Sequence, residues 1–204
     1  MAEIAEITGL VEEALRDHAK LRHIVSLLYH EDMAERLRAA LALGEITRRN
    51  PELMLQRWVR IFRSFDDTMS CWGVAEALAE IARNLPEEQR GKIVGFLKNF
   101  RRDDCSCQGY LWGMSRICML ERERIREFAA ELDTFLGSPN ICMQGQALWA
   151  LGELRIEAAA PRIERFLADP NEVWIFESKE VARKSIGTIA AEALQKMHRE
   201  SRDV

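Results

Sequence analysis

Proline and glycine are scarce in this chain, with five and eleven among 204 residues. So few breakers leave room for helices, and Ala, Leu, Glu and Arg, which dominate, favour them. No run of about 18 apolar residues occurs, so no membrane-spanning helix and no membrane partner are expected. The first twenty residues carry Glu3, Glu6, Glu12 and Glu13 inside their apolar pattern and do not read as a secretory signal. A basic balance is missing too: the formal charge is −4 and the pI about 5.7. That argues against a generic nucleic-acid binder. Five cysteines cannot all pair, which points to free thiols in a reducing, cytoplasmic setting. CxxC pairs, an HExxH helix, a Gly-rich phosphate loop and a dinucleotide fingerprint are absent. His18, His23, His30 and His198 are scattered, and surface or helix-packing roles are expected of them. No catalytic residue and no cofactor are assigned.

What the chain does have is a repeat. "RAALALGEITR" (38–48) aligns with "GVAEALAEIAR" (73–83), "GYLWGMSRICM" (109–119), "QALWALGELRI" (146–156) and "VARKSIGTIAA" (181–191). The anchor column is Gly44, Ala79, Ser115, Gly152 and Gly187, all small, at spacings of 35, 36, 37 and 35. Columns five, two and one before the anchor and two after it are apolar or small. They make one helix face. A glycine inside a helix costs about 1 kcal/mol against alanine. Here it lets a neighbouring helix come close. A second amphipathic stretch precedes each copy, at 21–29, 55–65, 91–100, 126–136 and 160–169. Each repeat is thus read as an antiparallel pair, helix A then helix B, with 1–19 as an N-terminal capping helix. The repeats run about 20–50, 51–85, 86–121, 122–157 and 158–198, one domain across 1–204.

These residues resemble HEAT repeats, and more narrowly the bacterial HEAT-like repeats of the phycobilisome lyase type. Asp32, Arg36, Ala39, Leu43 and Gly44 follow that pattern. Asp67 and Asp103 hold the Asp column, with Asn140 substituting in the fourth repeat. The Arg column departs from it, reading Arg36, Cys71, Cys107, Gln144 and Lys179. The resemblance implies an all-α, right-handed α-solenoid of about five helix pairs whose B helices line a concave side. It implies little about function.

The B-helix stripe facing that side holds Glu45, then Trp72, Glu76 and Glu80, then Trp112 and Arg116, then Trp149 and Glu153, then Glu180 and Lys184. Trp72, Glu76, Glu80, Trp112, Arg116, Trp149 and Glu153 are the candidate partner-binding groove, since large aromatics ringed by charge suit binding hot spots. The alternative is that the indoles pack between adjacent B helices. Trp58 and Trp174, off the stripe, read as core or loop cover. Cys71, Cys105, Cys107 and Cys142 are weak candidates for a soft metal near helix starts. Repeat neighbours about 8–10 Å apart make small buried thiols the better reading. The runs "RRDD" (101–104) and "ERERIRE" (121–127) read as turns and a solvated face.

Three functions follow. The first is a non-enzymatic scaffold that binds a basic or amphipathic protein or peptide in the B-helix groove. The second, implied by the lyase resemblance, is a lyase or chaperone for a tetrapyrrole-like group stacked on Trp72, Trp112 and Trp149. The third is a HEAT-like DNA glycosylase using Glu76 beside Trp112. The acidic charge opposes the third, because phosphate contacts dominate such binding.

Overall fold

The structure, a computed structural model, describes residues 2–55, 72–102, 104–177 and 180–198. Among them are eleven α-helices and one β-hairpin. The chain divides into two compact units, Met1–Gly113 and Met114–Val204.

The first unit opens with α1 (Ala2–Arg16), α2 (His18–Leu27), α3 (Met33–Arg49) and α4 (Pro51–Leu55). It continues with α5 (Trp72–Arg83), α6 (Glu87–Leu97), a 3-10 turn (Lys98–Arg102) and most of α7 (Asp104–Cys118). The Asp column has a local cause. Asp32 ends the turn before α3, and its carboxylate accepts from the Ala34 amide at 2.8 Å, capping the helix. Arg48 and Arg49 close the last turn, where cations suit the helix dipole. Helix α3 packs along α5. A Cβ on Gly44 would stand 2.9 Å from Glu80 Cβ, and Asn84 Nδ2 donates to the Gly44 carbonyl at 3.1 Å. The periodic columns are the core: Ala39, Ala42, Leu43 and Ile46 of α3, and Val74, Ala77, Leu78 and Ile81 of α5, are buried.

The second unit holds a 3-10 turn (Arg122–Arg124), α8 (Ile125–Leu136), α9 (Ile141–Glu153) and α10 (Ala160–Ile163) between two further 3-10 turns. Strands β1 (Glu172–Glu177) and β2 (Glu180–Ser185) and helix α11 (Ile186–His198) follow. Asn140 caps α9, accepting from the Cys142 amide at 2.9 Å. Helix α9 packs on α8 and along α11. A Cβ on Gly152 would lie 2.6 Å from Ala193 Cα, so two helix backbones meet there.

The fifth repeat departs from expectation. Residues 181–191 do not form one helix. Its first five belong to β2, which pairs antiparallel with β1 from Glu172↔Ser185 to Glu177↔Glu180. The alternation Val173, Trp174, Ile175 explains this: Val173 and Ile175 are buried, while Trp174 points out at 58% exposure. Ala182, Lys184 and Ser185, aligned as helical, therefore stand on a strand. Trp174 is an exposed residue and not core or loop cover. Helix A of this repeat shrinks to the four residues of α10 and the 3-10 turn Glu164–Phe166. In the charge run at 121–127, Glu121 is buried and bonded to Arg124 Nε, unlike its exposed neighbours Arg122 and Glu123.

Candidate functional site

The stripe residues are placed by the same periodicity that buries the core columns. In the first unit, the Trp112 indole N–H on α7 donates to Glu76 Oε2 on α5 at 2.5 Å. Trp112 and Glu76 are each 5% exposed. A donor and a carboxyl acceptor bonded in the interior tie α7 to α5. Ala79 and Ser115 are buried beside them in sequence. Glu80 is buried and accepts from Arg83 Nη1 at 3.0 and 3.2 Å. Glu45 accepts from Arg48 and Arg49, and Arg49 also reaches Glu12 at 2.5 Å. The Arg48 hydrogen bond, reinforced by Arg49 and opposed by burial, holds the Glu45 carboxyl down at about 2.

In the second unit, Trp149 is 5% exposed and Arg116 half-buried. Glu153 accepts from Lys196 Nζ of α11 at 2.5 Å. Lys196 also donates to Glu177 Oε1 at 2.8 Å. Lys184 donates to Glu177 Oε2 at 2.5 Å and to both carboxylate oxygens of Glu192 at 2.9 and 2.7 Å. The five side chains form one alternating chain, Glu192–Lys184–Glu177–Lys196–Glu153. Burial alone would raise the Glu177 carboxyl. The hydrogen bonds from Lys184 and Lys196 outweigh it and hold the group below its ordinary range. Burial likewise opposes, and the carboxylates reverse, the shift of both lysines, which are raised. Of this chain the repeat columns mark only Glu153 and Lys184. Glu177 lies within the fifth repeat, between its two amphipathic stretches, and Glu192 and Lys196 lie beyond the aligned columns.

The Trp72 side chain lies outside the described residues, as do Trp58, Cys71, Asp67, Asp103 and the side chains of Cys105, Cys107 and Glu180. Cys142 is half-buried near the start of α9. Cys118 is buried, and desolvation pushes its thiol up to about 12, so it is a poor nucleophile and metal ligand at neutral pH. No three His, Cys, Asp or Glu side chains gather as a metal-binding group among the described residues. The exposed large apolar side chains among them are Leu120, Ile141, Leu167 and Trp174, all in the second unit. No described helix is long and apolar enough to cross a membrane.

No family model matches the chain, and no curated protein matches it.

Proposed function

We propose that this chain is a non-enzymatic scaffold of HEAT-like helix pairs, stacked as a right-handed solenoid, that binds a protein or peptide segment in the cytoplasm. The observation that carries the reading is Trp174. Its indole is 58% exposed on a strand whose opposite face is anchored by buried Val173 and Ile175. An exposed tryptophan on a fixed support loses little freedom on binding and offers a large contact area. Leu120, Ile141 and Leu167 add apolar surface to the same unit. Of the stripe, Trp112 in the first unit and Trp149 in the second are buried, so the contact surface proposed is the one around Trp174. An amphipathic partner fits better than a strongly basic one, because Glu45, Glu80 and Glu153 each already hold a cation of this chain. A flat prosthetic group would need the ring faces of Trp112 and Trp149, which are packed. Glu76 and Trp112 do meet, yet both are buried, and a glycosylase needs that carboxylate open to an extruded base.

The test is selection of peptides from a displayed random library on the immobilised full chain, followed by affinity measurement. Trp174→Ala is expected to weaken the selected peptides by about thirtyfold with an unchanged circular dichroism spectrum. Equal binding by wild type and Trp174→Ala, or no enrichment at all, would sink the reading.

A further inference from the structure

The β1–β2 hairpin is attached to its unit in three zones of different chemistry. At the root, the Ile186 amide donates to the Asn171 carbonyl at 2.8 Å, and the Gly187 amide to Asp169 at 2.9 Å. In the middle, Val173 and Ile175 are buried, and the Val173 side chain sits where a Cβ on Gly145 would fall, 2.6 Å away. At the far end of the strands, by the Glu177↔Glu180 pair, the hold is ionic. Glu177 takes one lysine on each carboxylate oxygen, Lys184 from β2 and Lys196 from α11. The outer members, Glu192 and Glu153, tie those lysines to α11 and α9. The five side chains are 20–35% exposed, so electrolyte reaches them.

We propose that the hairpin is a strap closed by charge. When ionic strength rises, the five-member chain weakens, and strands β1 and β2 lift from α9 and α11 together while α8 and α9 stay folded. The free-energy source is the loss of screened attractions over a few ångströms in a half-wet site, where added salt acts most strongly on the outer pairs. The root stays as the hinge, because its two bonds are between backbone groups and carry no net charge. Lifting uncovers Val173 and Ile175 and carries Trp174 away from the body, so the strap changes the apolar surface of this unit. The proposal concerns the hairpin's own equilibrium and stands whether or not Trp174 meets a partner.

Hydrogen–deuterium exchange on the full chain tests it, at about 0.05 and about 1 M NaCl and one fixed pH. Amides of 173–184 are expected to exchange about fivefold or more faster in high salt, with α8 and central α9 unchanged. Lys196→Met keeps most of the aliphatic stem and removes two links. It is expected to speed the same amides at low salt and to reduce the salt response to what the remaining Lys184–Glu192 link to α11 supplies. Hairpin exchange that ignores salt, or that always keeps pace with α9 and α11, overturns the strap. Should Lys196→Met disturb α8 as well, the wild-type salt comparison decides alone.

Discussion

A Cβ built on Gly152 would sit 2.6 Å from Ala193 Cα, a backbone atom that gives way only if α11 moves. Nothing stands within 4 Å of the same atom built on Gly95 in α6. Gly152→Ala should therefore cost about 1–3 kcal/mol through overpacking, while Gly95→Ala should gain about 0.5–1 kcal/mol of helix propensity. Urea midpoints of the two variants should move in opposite directions. Gln146 offers a second test. Its side chain is fully buried in α9, and neither amide atom meets a hydrogen-bond partner among the described residues. Gln146→Met keeps the length and removes both polar atoms, and should raise stability by about 1–3 kcal/mol. A lowered midpoint would mean the amide is bonded in solution. The anchor glycines were legible because a small residue at one spacing in five copies has a packing cause. Gln146 was not: its column runs Arg38, Gly73, Gly109, Gln146 and Val181, with no common chemistry.

Helix by helix, the local signals translate directly. Asp32 and Asn140 occupy the turn position where a short polar side chain caps, and α3 and α9 begin one residue later. The fifth repeat departs from the helical columns because 180–185 pairs as a strand with 172–177. Val173 and Ile175 face inward and Trp174 outward, as on a strand, and pairing with that strand takes 180–185 out of helix. The buried Glu76–Trp112 bond illustrates another limit: column spacing showed that the two share a stripe but not whether the stripe faces solvent or the next helix. At the end of α3, Glu45 yields a pH prediction. Its carboxyl, held at about 2 chiefly by the Arg48 hydrogen bond, is depressed in the folded state. Its contribution is whole above pH about 4.5 and fades as pH falls toward about 2. Because the side chain is partly exposed, Glu45→Gln should lower the melting temperature at pH 7 by no more than about 3 °C. The gap between variant and wild type should close as the pH approaches 2. A gap that widens in acid would contradict the assignment.

For the molecule as a whole, the described chain is mostly helical, with one two-stranded sheet. Cys118 offers a readout of its global opening. Burial raises its thiol from 9.0 to about 12, leaving roughly a thousandth of the ordinary thiolate fraction at neutral pH. Iodoacetamide should label Cys142 in the native protein and Cys118 only at the rate of unfolding. Early labelling of Cys118 would mean that α7 frays well below the global stability. The close contacts of the anchor glycines have one more consequence, for synthesis. Gly44 meets Glu80 and Gly152 meets Ala193, partners 36 and 41 residues further along the chain. A ribosome adds that many residues in a few seconds. Each of these helices therefore meets its neighbour soon after the neighbour is made, and the helices of Met1–Gly113 can pack before α11 exists. A chain crowded at residue 44 should then fail early in translation, and one crowded at residue 152 late, with its first half already sheltered from proteases and aggregation.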